Sequence, residues 1–423
     1  AEHLVGICGT KAGQLKPING DFYQKPLPPN PISGFVEQGM DALGMPRYRT
    51  PLAVITEDHA PSGRKVPTDP KTAFVNRYGD PMGYKSNTWV SLLSPISNEA
   101  NFELRPNCTV THLESQNGRV TRVHYRDPGG QPQAVEGKIV VVACSAIESV
   151  RLLKLSAGLG QDFDQRINQN DLLGKYFLTH CFGGAEAVFP GRYDKSISLD
   201  SDWATDFCAT EEFISASGIW AGGAMYNNTS DQALPVSLAR THGSQDLDNI
   251  WKSFVEDTSM TGAALTRFLD GNFGTRLSVS FMANQVPLKS NRVELHPTVK
   301  DKWNRPVAYI VKQWHSHDEF LMNTLAAQCA EVLRRAGAQG GVESGGVHMA
   351  ENAWARIANH ILGGARFGAD RNDSVLDPDC KAWDFENLYV TDGSFMPTSG
   401  GGNPTLTIQA NAFRVAELLK GRV

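Results

Sequence analysis

The run Ile139-Val140-Val141-Val142-Ala143, entered from Lys138, constrains the fold most. A half-buried strand alternates polar and apolar residues, whereas this run is continuously apolar and rich in β-branched side chains. It therefore predicts a strand buried on both faces, as in parallel sheets. After a short turn, Ala146 to Leu155 carries Ile, Val and Leu at helical spacing. A buried strand feeding a helix through so short a turn is the building unit of α/β sheets. The longest strongly apolar run, Ile139 to Ile147, has nine residues, Ser145 among them. A membrane-crossing helix needs about 20, so no membrane span is expected.

The surroundings are mixed. Before this unit, Phe102–Arg105, Thr109–Leu113 and Val120–Tyr125 alternate like strands, with turn signals at Asn117-Gly118 and Asp127-Pro128-Gly129-Gly130. After it, Ala185–Phe189, Phe213–Trp220 and Arg276–Ala283 read as a separate layer of strands. Helices are predicted over Ile32–Leu43, over 318–336 with Gly337 as its stop, and over Thr405–Leu419. Asn387–Asp392 reads as a strand, and 57–88 as an ordered loop or lid. With 40 Gly and 23 Pro the chain suits strands and ordered loops better than a helical bundle. The fold class is α/β, or mixed α+β.

Composition removes several functions. At 41% hydrophobic and 20% charged residues the chain is globular. A net charge of −5 without any dense Lys/Arg run argues against nucleic acid. The seven Cys are scattered and include no CxxC, and His315 and His317 lack a third ligand nearby, so no metal site is expected. His315 and His317 are read as sharing a strand face. Trp203, Trp220, Trp251 and Trp314 could line a polar-ligand cleft, though core packing is the expected role of each. Without a signal-peptide pattern, a soluble chain is expected, the cytoplasm favoured over the periplasm.

The chemistry-bearing residues gather near the end of the chain. The strand Asn387–Asp392 ends in an acid followed by Gly393, and Gly400-Gly401-Gly402-Asn403-Pro404 opens the last helix. Backbone N–H groups at such a helix start suit an anionic ligand or an electron-rich ring edge. An ordinary glycine-rich loop before a capped helix is an equally good reading. Upstream, His360 precedes Ile361-Leu362-Gly363-Gly364. Histidine is the default proton acceptor near neutral pH, although an isolated one is more often a surface or core residue. The chain contains no GxGxxG, Walker loop, GxSxG or HExxH.

Five segments in order resemble the glucose–methanol–choline (GMC) family of FAD-dependent oxidoreductases, in the branch of pyranose 2-oxidase and the gluconate 2-dehydrogenase flavoprotein. They are Val140–Ser149, Leu173–His180, Leu295–Trp303, His360–Gly368 and Asn387–Thr407. The resemblance implies FAD as cofactor and a fold in which an incomplete Rossmann-like FAD-binding domain adjoins a substrate domain built on a mainly antiparallel sheet. It divides the chain into 1–182, the remainder of the FAD-binding domain with the lid; 183–345, the substrate domain; and 346–423, which returns to the FAD-binding domain. His360 matches the catalytic base and Asn403 its partner, and their spacing of 43 residues is similar to the family's. Asp392 and Gly393 match the segment beside the pyrophosphate and ribityl chain, and Asn403, Pro404 and Thr405 the flavin contact. Val110 matches the adenine-side strand, and Ala143 and Cys144 the passage near the adenosine. Two features depart from the family. Cys144 stands where the family has Gly, and the opening strand–GxGxxG–helix is missing, as though Ala1 followed it.

The implied function is FAD-dependent oxidation of a hydroxyl of a sugar, glycoside or polyol. The FAD pyrophosphate-binding half would come from another chain or segment, with a second polypeptide as the expected partner. The alternative is a non-catalytic module of the same descent that binds a sugar-like ligand or a partner.

Overall fold

The computed structural model describes residues 1–15, 23–66, 80, 82–193, 201–228, 261–264, 266–267, 275–345 and 360–422. Along the chain the main elements are α1 (Ser33–Ala42), β1 (Tyr48–Arg49), β2 (Thr109–Gln116), β3 (Arg119–Arg126), β4 (Pro132–Val135), β5 (Val140–Val142), α2 (Ala146–Leu159), β6 (Cys181–Val188) and β7 (Trp203–Thr205). They continue with α3 (Glu211–Ser217), β8 (Gly223–Asn228), β9 (Arg276–Ala283), β10 (Arg292–Lys300), β11 (Pro306–Val311), α4 (Ser316–Arg335), β12 (Gln339–Gly345), β13 (Leu388–Val390) and α5 (Thr405–Leu419).

The apolar run at 139–143 becomes β5, which pairs in parallel with β13, Leu388 opposite Val140 and Val390 opposite Val142. Val140 and Val142 are buried, but Val141 is 47% exposed. The expectation of burial on both faces is therefore corrected. Successive side chains of a strand point to opposite faces, and only the face toward α2 is covered by described residues. Around the parallel pair, Val150, Leu153, Phe177, Tyr389 and Val415 form one core. Asn387 stitches the meander β2-β3-β4 to this pair: its amide accepts from Val120 N–H at 2.9 Å and donates to the carbonyls of Val120 and Lys138.

A six-stranded sheet in the order β12-β6-β9-β8-β7-β1 carries the second core. Its β6, β9, β8 and β7 pair antiparallel to one another, in line with the mainly antiparallel sheet expected. Leu321, Leu325, Cys329 and Val332 of α4 and Val36 and Met40 of α1 pack with its Val279, Phe281 and Met225.

Three local readings change. Phe102–Arg105 is a loop: four alternating residues lie between turns with no partner strand among the described residues, and Leu104 is 52% exposed. Phe213–Trp220 is not a strand, because the helix α3 takes most of it. Thr210 caps that helix by accepting from Phe213 N–H, Glu211 and Glu212 favour its positive end, and Gly218 at φ 68° stops it. His315 and His317 share no strand face. His315 is the N-cap of α4, in a capping box with Asp318. No group of three metal-ligating side chains occurs among the described residues, and no described helix is long and apolar enough to cross a membrane. Trp203 lies beneath Arg47 and Arg49, and Lys312 sits over Trp314. Trp220 is exposed and stacks on His317. Trp251 and residues 67–79 and 81 of the expected lid lie outside the described residues.

Candidate active site

Strand register builds the centre of the site. Leu178 and Leu362 form an antiparallel bridge, each N–H donating to the other's carbonyl at 2.8 and 2.9 Å. Two residues outward, this register sets His180 against His360. Their rings stand edge to face, 5.1 Å between centroids. Phe182, the next residue of β6 on the same face, adds a third ring 5.2 Å from His360. Gly363 makes the turn beside this bridge. Its φ is 72°, and a Cβ there would lie 2.1 Å from the carbonyl oxygen of Tyr176.

Asn403 reaches the same point from the other side. Its Nδ2 lies 3.3 Å from His360 Nε2. The preceding glycine loop is pinned to the six-stranded sheet, with Ala224 N–H donating to the Gly401 carbonyl at 3.1 Å. Burial lowers the pKa of His360 to about 4, so at neutral pH the ring is an uncharged acceptor. His180 is completely buried, and burial, then His360, lowers its pKa to about 3. Among the described residues, His360 Nδ1 and both ring nitrogens of His180 have no hydrogen-bond partner.

The other expected site residues spread from this centre. Asp392 and Gly393 follow β13. The Gly393 carbonyl accepts from Gly363 N–H at 3.0 Å, which ties this segment to the one carrying His360. Asp392 accepts from Ser394 N–H and from the Ser149 hydroxyl. Ala143 and Cys144 are exposed at the end of β5, beside β13, and Ser145 turns at φ 73° into α2. Asp392 and Cys144 thus share the carboxyl ends of two parallel strands, where open α/β sheets take ligands. Pro404 is buried and Thr405 exposed at the start of α5. Val110 is half-exposed on β2, its carbonyl held by Arg305. No described hydrogen bond joins it to the other expected residues.

Sequence reasoning missed His180, Phe182 and Ser149. His180 and Ser149 close two of the segments singled out, yet no role was given to them. The alternation His180-Cys181-Phe182 leading into a strand was the available signal.

Two family models match this chain, both of GMC oxidoreductase, over residues 59–181 and 287–412. Together they span more than half of it. The chain belongs to the GMC oxidoreductase family. Members of this family are FAD-dependent oxidoreductases of the CH–OH group. As a GMC oxidoreductase, the chain is 27% identical to 2-methyl-1,2-propanediol dehydrogenase of Mycolicibacterium austroafricanum, over 99% of its own length and 72% of the relative's. It is 22% identical to the gluconate 2-dehydrogenase flavoprotein of Pantoea cypripedii, over 99% and 69%. Pyridoxine 4-oxidase from Mesorbium loti has a similar fold, with a TM-score of 0.58 and 16% identity over 94% of this chain and 73% of that one.

The residues present fit FAD. The N-cap Pro404 supplies no side-chain cap to α5, so its first-turn N–H groups are free to meet an electron-rich ring edge. Ser394 Oγ is buried and has no hydrogen-bond partner among the described residues. The backbone at 143–145 is open to a ligand at the strand ends.

Proposed function

We propose that this chain oxidises a hydroxyl of a sugar, glycoside or polyol, with His360 as the base and Asn403 as its partner. The observation carrying the reading is the 3.3 Å approach of Asn403 Nδ2 to His360 Nε2, between residues 43 positions apart. At 3.3 Å this contact is long for a hydrogen bond and is readily exchanged for a substrate oxygen. With the hydroxyl between them, His360 Nε2 accepts its proton while the Asn403 amide donates to the same oxygen. FAD, when bound, supplies the hydride acceptor. The uncapped start of α5 would face its ring edge, with Asp392 and Gly393 beside the pyrophosphate and ribityl chain, and Val110, Ala143 and Cys144 on the adenosine side. In this reading 1–182 and 346–423 serve the cofactor and 183–345 the substrate. Substrate chemistry is supported by the names of the relatives, which include a diol dehydrogenase, a gluconate dehydrogenase flavoprotein and paromamine 6'-oxidase.

The proposal includes a further polypeptide or segment carrying the GxGxxG motif. Val141 and Val110 of the sheets and Phe413 and Leu418 of α5 are exposed, and only Val415 and Leu419 of that apolar helix are buried. Such a surface suits a covering strand and helix. The test is anaerobic mixing of the flavin-loaded enzyme with a panel of sugars and polyols. Flavin bleaching by a member of the panel is expected, and H360A should abolish it while FAD stays bound. Unchanged reduction in H360A refutes the base assignment. A complete complex that is colourless and free of FAD refutes the oxidoreductase reading in favour of a binding module.

A further inference from the structure

We propose that His180 is the positioning residue of His360, accepting a hydrogen bond from His360 Nδ1–H so that Nε2 is held as the free base. This rests on the preceding assignment of His360. The Asn403 amide donates to Nε2, which leaves the neutral ring its proton on Nδ1. Among the described residues that nitrogen has no acceptor. A buried N–H without a partner is costly, so this site calls for an acceptor. His180 stands directly opposite in the register, completely buried, and among the described residues neither of its ring nitrogens makes a well-formed hydrogen bond. Four of its neighbours are an incomplete cradle: the carbonyls of Ser399, Gly400 and Gly402 face its ring, and Phe182 closes one side. A His180 N–H directed to those carbonyls leaves its second nitrogen as the acceptor. His360, on the C-terminal segment, is the titratable group facing His180; Phe182 of β6 and the 399–402 backbone are neutral.

The chain of contacts then runs from the 399–402 carbonyls through His180 to His360 and the substrate oxygen. On oxidation, the substrate O–H proton passes to Nε2. The Nδ1 proton stays on His360, and the new imidazolium is stabilised by the neutral His180 ring. No proton moves onto His180, whose burial beside a second cation opposes it. A base oriented by a third group is the general arrangement for such sites, with an imidazole here in place of a carboxylate. The two rings have only to turn to meet, and contacts of this kind tighten when substrate binds.

H180F keeps the ring and removes its nitrogens, and H180N keeps an acceptor. Both are made in the full, flavin-loaded protein. Nitrogen-15 spectra of histidine-labelled protein read the His360 tautomer and pKa independently of turnover. The Nδ1–H tautomer is expected in the wild type. In H180F the pKa of His360 should fall by about half a unit or more, because its cation loses an acceptor. H180N should restore much of it. Single-turnover flavin reduction should slow about tenfold or more in H180F with substrate affinity unchanged, and less in H180N. An Nε2–H tautomer in the wild type overturns the proposal outright, whether or not H180F retains flavin. So does an equal loss in H180F and H180N with the His360 pKa unmoved, which marks His180 as packing. H360A separates the two readings: a fast H360A refutes the base, while the tautomer still decides the His180 contact.

Discussion

Lowering the pH from 7 to 5 should cost this protein stability through His180, and H180F should lose that sensitivity. In the unfolded chain the ring titrates near 6.5, whereas in the fold burial holds it to about 3. A depressed histidine pKa means that the unfolded state binds the proton first. Stability is therefore full above about pH 6.5, falls as the pH drops below it, and levels off near pH 3. Between pH 7 and 5 the unfolded ring becomes almost fully protonated and the folded ring stays neutral. At about 1.36 kcal/mol per pKa unit, the loss is about 2 kcal/mol for this one group. His360, lowered to about 4, adds a loss of the same sign. Urea unfolding followed by tryptophan fluorescence at pH 7, 6 and 5 measures it. H180F starts from a different absolute stability, so the quantity to compare is the change with pH. The expected curve for H180F is flatter than that of the wild type by about 2 kcal/mol over this interval. Parallel curves would refute the argument, because they would mean that His180 carries no buried, uncharged state to be disrupted.

Three further perturbations test the geometry. N403A should slow single-turnover flavin reduction by less than H360A does, since it removes an orienting donor and leaves the base; an equal or greater loss would show that the roles are reversed. G363A places a Cβ 2.1 Å from the Tyr176 carbonyl at a φ of 72°, so it should destabilise the fold by about 2–3 kcal/mol in urea unfolding and pull His360 away from His180. N387A removes three hydrogen bonds to Val120 and Lys138 and should cost about 2–4 kcal/mol; an unchanged urea midpoint would mean that the meander is held by other contacts.

Periodic segments were legible because burial imposes a period. The helix predicted at 318–336 forms over Ser316–Arg335 with Leu321, Leu325 and Val332 on its buried side, and the Asn117-Gly118 hairpin joins β2 to β3. Short segments were not. Phe213–Trp220 carries aromatics that fit a strand, but Thr210 and Gly218 at its margins decide for a helix. At the site, His360 and Asn403 were singled out through motif order and their spacing, and the structure brings them within 3.3 Å. The partner His180 was hidden, because a cross-strand pair depends on register, here the bridge between Leu178 and Leu362, and register is a property of two distant segments. Likewise Val141 reads as interior by composition, and its exposure depends on what packs over the strand.

The bond from Ala224 to the Gly401 carbonyl has a consequence for engineering. A Cβ on Gly401 would come within 3.1 Å of the Gly223 backbone, so the loop and the strand start fit without slack. Asn403 follows two residues later. A graft that replaces the sheet will carry the loop with it and displace Asn403. Residues 400–403 and the start of β8 therefore have to be exchanged as one cassette.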